Sequence, residues 1–172
     1  MKEYKRPTTL YRYAKQTVLE RALLLGEFQV QPTLGFQEER PVSASIAPTT
    51  LSFLTLGFAQ EWDKRLFTQH PESDACLVIH KTEEFGELLH RAVQSVLPDW
   101  TGIDSAMSYG RQSPLGSVFT KPLSAAKEQE WQFAWRPVRP MAMVTPVVVT
   151  LGSIERFAEI RKKDIAQEKA AN

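Results

Sequence analysis

The chain combines two patterns of hydrophobic and polar residues. Apolar residues at every second position, or in a short unbroken run, are typical of β-strands, whereas a spacing of three or four predicts a helix with one buried face. The helical spacing occurs from Val18 to Leu25, before Gly26, and from Phe85 to Val96, before Pro98. The strand patterns occur at residues 10–13, 28–30, 51–56, 75–80, 106–109, 118–120, 131–135 and 144–151.

Capping signals indicate where the helices begin. Thr17, with Glu20 three positions later, has the spacing of a capping box, and Thr82 precedes the second helical stripe. We therefore predict that these two threonines cap the two helices. A shorter helix is predicted at 59–67. Ser153 precedes a further amphipathic stretch, which predicts a C-terminal helix from about residue 153.

The order of these elements favours an α+β fold. Strands outnumber helices and do not alternate regularly with long helices, which argues against a doubly wound sheet. We predict a bent mixed or split β-sheet flanked by three or four helices, in one globular domain over residues 1–172. Residues 32–49 are rich in proline and polar residues, so they are predicted to form a loop with one short strand at 41–45. A frayed tail is expected from about residue 167.

Charge and cysteine content narrow the functional classes. The formal net charge is +1, from 21 basic and 20 acidic residues, which argues against a dedicated nucleic-acid or membrane-surface binder. The single cysteine, Cys76, lies in an apolar run and is predicted to be a buried hydrophobic residue. No signal peptide and no membrane-spanning run is visible, so we expect a cytoplasmic protein; export without a cleavable signal fits the same sequence.

The sequence offers no recognisable metal site. His70, His80 and His90 have no spacing typical of zinc ligands, so no metal is expected. A phosphate-binding glycine loop and a nucleophile elbow are also missing from the sequence. Candidate chemistry must therefore come from other side chains.

Three charged residues are candidates for such chemistry. Arg12 lies in the middle of the first predicted strand, and its guanidinium offers a rigid fork for a pyrophosphate. Glu128 and Glu130 precede the strand at 131–135, and in an extended chain they point to the same side. One carboxylate can bind a ribose hydroxyl while the other orients an acceptor. The structural alternatives are an edge-strand charge for Arg12 and a solvated turn for the two glutamates.

Small hydroxyl and aromatic residues accompany these charges. A serine at Ser43, Ser45 or Ser52 could hold the carboxylate in place, and the sequence leaves open which one faces the site. The rings of Tyr11 and Tyr13 could stack on a nicotinamide or adenine base. The structural alternatives are loop chemistry for the serines and core packing for the tyrosines.

Together these segments resemble known enzymes. Three segments, in the same order, resemble the Arg, Ser-x-Ser and Glu-x-Glu motifs of mono-ADP-ribosyltransferase toxins of the cholera-toxin type, with Ser-Ala-Ser where those toxins have Ser-Thr-Ser. The segments are Leu10-Tyr11-Arg12, Val42-Ser43-Ala44-Ser45 and Glu128-Gln129-Glu130. More diffusely, from about residue 10 to 135, the chain resembles a bacterial family of unknown function that opens with Leu-Tyr-Lys/Arg-Tyr. That family carries Phe-x-Lys, here Phe119-Thr120-Lys121, before its Glu-x-Glu, and its serine corresponds to Ser52.

The toxin resemblance implies an ADP-ribosyltransferase-like fold and a transferase that uses NAD as substrate. Arg12 would hold a phosphate or ribose, Ser43 or Ser52 would order the site, and Glu130 would engage the ribose and stabilise the cation. Glu128 would position the acceptor, an unidentified protein or other macromolecule. The same resemblance suggests a role in a toxin, defence or phage-host conflict.

Two other functional classes stay open. The first is a non-catalytic interaction protein of the immunity or antidefence type, which would dock through the predicted C-terminal helix and its apolar Ile154, Phe157 and Ile160. The second is a nuclease with a basic cleft. The residues of that cleft would be Arg111, Lys121, Lys127 and Arg136.

Overall fold

The structure is a computed structural model that describes residues 4–34, 52–141 and 143–163. It is an α+β fold dominated by a large antiparallel sheet, with few helices, which confirms the predicted class. The strands of the described residues are β1 Leu10–Ala14, β2 Glu27–Leu34, β3 Ser52–Ala59, β4 Ala75–Ile79, β5 Trp100–Ala106, β6 Ser108–Tyr109, β7 Thr120–Lys121, β8 Glu130–Pro137, β9 Val147–Thr150 and β10 Ala158–Lys162. The helices are α1 Gln16–Leu25, α2 Leu66–Gln69 and α3 Thr82–Val96, with 3-10 turns at Ser117–Phe119 and Leu123–Glu128.

The main sheet has eight strands, and its centre is β3. Along one path the order is β10-β4-β1-β3-β2-β9, and β8 pairs with both β3 and β5. Every pairing in this sheet is antiparallel, and parallel pairing occurs only between the short β6 and β7. The main sheet is therefore antiparallel, where a mixed or split sheet was predicted.

One edge of β3 is shared between two neighbours. β2 pairs with its first half, from Ser52 to Thr55, whereas β1 pairs with its far end through Tyr11↔Ala59. On the other edge, β8 follows β3 continuously from Leu54 to Ala59. A gap in backbone pairing therefore lies between β1 and β2 beside residues 56–58, within the described part of the chain.

Strand alternation gives the sheet two different faces. One face packs on α1 and α3 through a large core that includes Leu10, Leu77, Phe58 and Phe133. On the other face, Tyr11, Tyr13 and Trp62 pack beside the buried Phe67, Cys76 and Val78, and a second small cluster contains Met107, Val118, Phe119 and Ala134. Burial raises the pKa of the Cys76 thiol to about 12, so this cysteine is an inert core residue.

Neither predicted threonine caps its helix. α1 begins at Gln16, whose backbone amide donates to Asp74 Oδ1 at 2.6 Å. The Asp74 carboxylate, from a distant loop, therefore caps the helix where Thr17 was expected to do so. Thr82 is the first residue of α3, and its hydroxyl donates to the carbonyl of Pro7 at 2.5 Å. Tertiary contacts supply the partners that the local pattern assigned to the threonines.

The predicted C-terminal helix is wrong. Residues Ala158–Lys162 form β10, an edge strand that pairs with β4 from Ala158↔Ile79 to Lys162↔Ala75. β4 is buried along its whole length, so its free backbone edge requires a partner strand. This requirement outweighs the helical spacing of Ile154 and Phe157, which are buried in the turn before β10.

Other boundaries differ less. The stretch predicted as a helix at 59–67 contains the end of β3 and only the single-turn α2 at Leu66–Gln69. β5 at Trp100–Ala106 lies in a stretch with no strand prediction before residue 106, and residues 118–120 divide between a 3-10 turn and β7. The short strand predicted at 41–45 and the tail from about 167 lie outside the described residues.

Candidate functional site

Gly57, in the middle of β3, lies between the two most important candidate residues. Its carbonyl accepts a hydrogen bond from Arg12 Nη1 at 3.0 Å. On its other side, a Cβ atom at this position would overlap the carboxylate of Glu130. The lack of a side chain at Gly57 therefore lets a guanidinium from β1 and a carboxylate from β8 approach the same point of the sheet.

Arg12 lies at the gap between β1 and β2, beside β3. β1 and β3 pair through Tyr11↔Ala59, and beyond that point the guanidinium donates to the β3 carbonyl. By alternation Arg12 leaves β1 on the helix-covered face, where its Cζ lies 5.8 Å from the Phe58 ring centroid. Burial lowers the pKa of Arg12, and the nearby charge of Glu130 partly offsets this effect. Glu130 leaves β8 on the opposite face, so the two groups lie on either side of the sheet at Gly57, and the charge of Glu130 still acts on Arg12.

The two predicted carboxylates are joined by a lysine. Lys121 Nζ lies 2.6 Å from Glu128 Oε2 and 2.5 Å from Glu130 Oε2. Glu130 is the innermost of the three, with its side chain 16% exposed against 33% for Lys121 and 35% for Glu128. Burial acts to lower the pKa of Lys121, but the charges of the two glutamates outweigh it and the pKa is raised. The amine is therefore a cation.

The backbone on both sides of Glu130 is firmly fixed. Its amide donates to Tyr109 Oη at 2.8 Å, and its carbonyl accepts from the Met107 amide at 2.9 Å and from Gln60 Nε2 at 3.3 Å. Burial raises the pKa of Tyr109, which keeps its hydroxyl protonated at neutral pH. Because the Tyr109 oxygen accepts from the amide, its own proton is free to donate to a group in the site.

The glutamates converge for a reason other than the predicted one. Residue Gln129 between them adopts a left-handed conformation, with φ 41°, at the end of the 3-10 turn Leu123–Glu128. Glu128 therefore lies on a turn and Glu130 on a strand, rather than on one extended segment. Their shared partner Lys121 brings the carboxylates together, and Phe119-Thr120-Lys121 was the sequence signal that could have identified it.

The predicted tyrosines pack against other aromatic rings. Tyr13 meets Phe67 edge to face, with centroids 4.9 Å apart, and its hydroxyl accepts from the Asp63 amide at 2.9 Å. Tyr11 contacts Trp62 with centroids 6.2 Å apart. Burial raises the pKa of Tyr13. In the described structure these rings make core contacts, which is the structural alternative for both tyrosines.

The structure does not bring the candidate serines to Gly57. Ser52 is the first residue of β3 and pairs with Leu34. A strand rises by about 3.3 Å per residue, so the Ser52 backbone lies about 17 Å along β3 from Gly57. Ser43 and Ser45 lie outside the described residues.

A small polar cleft adjoins Glu128. Its volume is about 210 Å³, which is below the 300–1,000 Å³ typical of small-molecule sites and suits one side chain or ring rather than a dinucleotide. We call it the Trp62 cleft. Its lining residues are Glu61, Trp62, Asp63, Arg65, Leu66, Lys127, Glu128 and Gln129.

A second charged cluster, unpredicted from the sequence, surrounds Asp104 in β5. Its carboxylate accepts hydrogen bonds from Tyr4 at 2.6 Å, Arg6 at 2.7 and 2.9 Å, His90 at 2.8 Å and Trp131 at 2.9 Å. Burial acts to raise the pKa of Asp104, but these donors outweigh it and hold the pKa far below its ordinary value. The cluster fastens the N-terminal segment to β5, α3 and β8.

Hydrogen bonding assigns the proton on His90. Trp135 Nε1 donates to His90 Nδ1 at 3.1 Å, so Nδ1 is an acceptor and Nε2 carries the proton that is donated to Asp104. Gly102 makes room for this arrangement, because a Cβ there would overlap the Trp135 indole and the His90 ring. The network is a structural one, with every group occupied.

The four basic residues proposed for a nuclease cleft lie in different surroundings. Lys121 is neutralised by two glutamates, and Lys127, in the Trp62 cleft, lies near acidic residues; Arg111 and Arg136 are exposed. These positions do not form the basic cleft that a nuclease would need.

Within residues 4–34, 52–141 and 143–163, no group of three or more His, Cys, Asp or Glu side chains is placed to hold a metal ion. None of the helices described is both long and apolar enough to cross a membrane.

The geometry stands without support from related proteins. Comparisons of the chain with protein-family models, with curated proteins and with solved structures find no significant match.

Proposed function

We propose that this protein is an NAD-dependent mono-ADP-ribosyltransferase-like enzyme whose active site is centred on Gly57. The observation that carries the proposal is the approach of Arg12 and Glu130 to the same glycine from distant parts of the chain. A partly buried cation and a largely buried carboxylate, which reach Gly57 from opposite faces of the sheet, are the partners that a phosphate and a ribose hydroxyl would need.

The proposed reaction breaks one bond and forms another. The bond between ribose C1′ and the nicotinamide nitrogen breaks, and its electron pair leaves with nicotinamide. Glu130 accepts a hydrogen bond from a ribose hydroxyl and stabilises the positive charge that develops on the ring. A nucleophilic atom of the acceptor then bonds to C1′, and its proton passes to Glu128 or to solvent.

The site is divided in a way that suits two substrates. Glu128 faces the Trp62 cleft, whose volume of about 210 Å³ fits a single side chain, whereas Glu130 lies deeper against Gly57. We assign the cleft to the acceptor and the Gly57 side to NAD. The acceptor would then be one exposed side chain of a macromolecule, in keeping with the toxin, defence or conflict role suggested by the sequence resemblance.

Nicotinamide release tests the proposal directly. Purified protein incubated with NAD should release nicotinamide, detected by chromatography, and Glu130→Gln should reduce the rate by about a hundredfold or more. Glu159→Gln, at an exposed glutamate of β10, is the matched control and should leave the rate unchanged. Failure of the wild type both to bind NAD and to release nicotinamide, with a panel of acceptor side chains, would overturn the proposal.

One observation favours a second candidate, a non-catalytic interaction protein. The connection from β8 to β9 exposes three apolar side chains between prolines, namely Val138 at 64%, Met141 at 51% and Met143 at 75%. Exposed methionines and prolines are common at binding surfaces. This candidate predicts a stoichiometric partner that is lost on Met141→Ser and retained on Glu130→Gln, measured by copurification and then by titration of the purified components.

A further inference from the structure

The proposed active site is electrically balanced in the free protein. Arg12 and Lys121 supply two positive charges, and Glu128 and Glu130 supply two negative ones. An incoming dinucleotide brings a negatively charged pyrophosphate, so it must take over one of these cations. Of these two cations, Arg12 is held in place and Lys121 can move.

Arg12 is the fixed cation. Its guanidinium is partly buried at the gap between β1 and β2 and donates to the Gly57 carbonyl at 3.0 Å. Moving it would leave that carbonyl without its donor, which is costly inside a protein. Arg12 can therefore offer its remaining N–H groups to a ligand only where it stands.

Lys121 is the movable cation. Its backbone is held by parallel pairing with Tyr109 and by the Gly110 amide, which donates to its carbonyl at 3.0 Å. Its side chain is 33% exposed and has a flexible four-carbon stem, so the ammonium can turn without moving the strand. An ammonium has three donors, and the described residues provide carboxylate partners for two of them.

The Glu130 carboxylate has an incompletely satisfied oxygen. Glu130 Oε2 is sealed from solvent and, within the described part of the molecule, accepts no hydrogen bond of normal geometry; it is balanced only by the charge of Lys121 at 2.5 Å. If the ammonium turns away, this buried oxygen needs another hydrogen-bond donor. A ribose hydroxyl can supply one.

We infer that Lys121 is a substrate-binding residue that turns from Glu130 to a phosphate oxygen of the bound dinucleotide, which frees Glu130 Oε2 for the ribose. This inference rests on the proposed function and adds a residue and a role to it. No covalent bond changes in the exchange. The pyrophosphate replaces one carboxylate as partner of the ammonium, and the ribose hydroxyl replaces the ammonium as partner of Glu130.

Two ligands, NAD with its pyrophosphate and nicotinamide riboside without the pyrophosphate and adenosine, distinguish this role from a static ion pair when wild type and variant are compared for each. Lys121→Met should weaken the binding of NAD by about tenfold to a hundredfold, the loss expected for a charged hydrogen bond. Nicotinamide riboside lacks the phosphates, so the variant should bind it as well as the wild type or better. Lys121→Arg should restore most of the NAD affinity. Lys15→Met, at an exposed lysine paired with Glu72, is the control for loss of one positive charge.

The outcomes separate the two proposals. Wild-type protein that neither binds NAD nor releases nicotinamide overturns the proposed function and this inference with it. Wild-type protein that handles NAD, together with equal losses for NAD and nicotinamide riboside in Lys121→Met, or no loss for either, overturns the role of Lys121 alone. If Lys121→Met does not fold, lysine side-chain NMR of the wild type with inorganic pyrophosphate replaces it. A shift of the resonance assigned through Lys121→Arg supports the exchange, and an unmoved resonance contradicts it.

Discussion

The Asp104 cluster and the Gly57 site are both charged groups set into the same sheet, yet they are built differently. Asp104 is 2% exposed and accepts hydrogen bonds from four side chains, so both its oxygens are occupied. Glu130 is 16% exposed and is paired with one flexible lysine, and among the described residues its Oε2 accepts no hydrogen bond of normal geometry. A fully satisfied buried carboxylate holds a fold together, whereas one balanced by a single movable cation becomes available to a ligand when that cation turns away.

The largest expected effect on stability concerns the Asp104 cluster. Asp104→Ala removes the acceptor of Arg6, Tyr4 and His90 and leaves their buried polar groups unpaired. We expect the free energy of unfolding to fall by about 3–5 kcal/mol, measured by urea denaturation. Asp99→Ala, at an exposed aspartate just before β5, is the matched control and should change it by less than about 0.5 kcal/mol. Equal losses in the two variants would remove the distinction between the clusters.

The pH dependence of stability sharpens the same comparison. Because the folded-state pKa of Asp104 lies below its ordinary value of 3.8, its contribution to stability is complete above that value and is lost as the pH falls below it. Urea denaturation at stepped pH should therefore show stability decreasing below about pH 4. Asp104→Asn should remove this part of the acid dependence. An unchanged acid profile in that variant would show that other carboxylates cause the loss.

A smaller change in stability is expected for a substitution at Gly57, in the proposed active site. A Cβ at Gly57 meets the far end of the Glu130 side chain rather than backbone, so Gly57→Ala can be relieved by turning the carboxylate. We expect the free energy of unfolding to change by no more than about 1 kcal/mol, while nicotinamide release is lost because Glu130 no longer faces its substrate. Retained release with a misplaced Glu130 would argue that the site lies elsewhere.

The local pattern of apolar residues was sufficient to predict an element where that pattern is regular and unbroken. α3 and β4 carry unbroken apolar signals, and both were predicted within a few residues. β10 was mistaken for a helix because the exposed edge of β4, rather than the sequence of β10 itself, decides its conformation. β5 was largely missed because Gly102 and Asp104 occupy positions where a strand of this sheet would normally show apolar residues.

The site was predictable only in part for the same reason. The motif order led to the prediction that Arg12 and Glu130 share a site, but it gave no sign that both would contact Gly57, from opposite faces of the sheet. Lys121 was considered only as part of a Phe-x-Lys motif or a basic cleft, because its pairing with two glutamates depends on a turn seven residues away. The Asp104 cluster draws two donors from the start of the chain, a separation that no local pattern encodes.

The position of β10 affects how the protein is made. β4 is synthesised near the middle of the chain, and one of its two edges is covered by β10, the last of the described elements to leave the ribosome. Until then the nascent chain carries Ala-Cys-Leu-Val-Ile with an open edge, which has the character of an aggregation-prone segment. This edge of β4 therefore stays open to aggregation until β10 has been made and has paired with it.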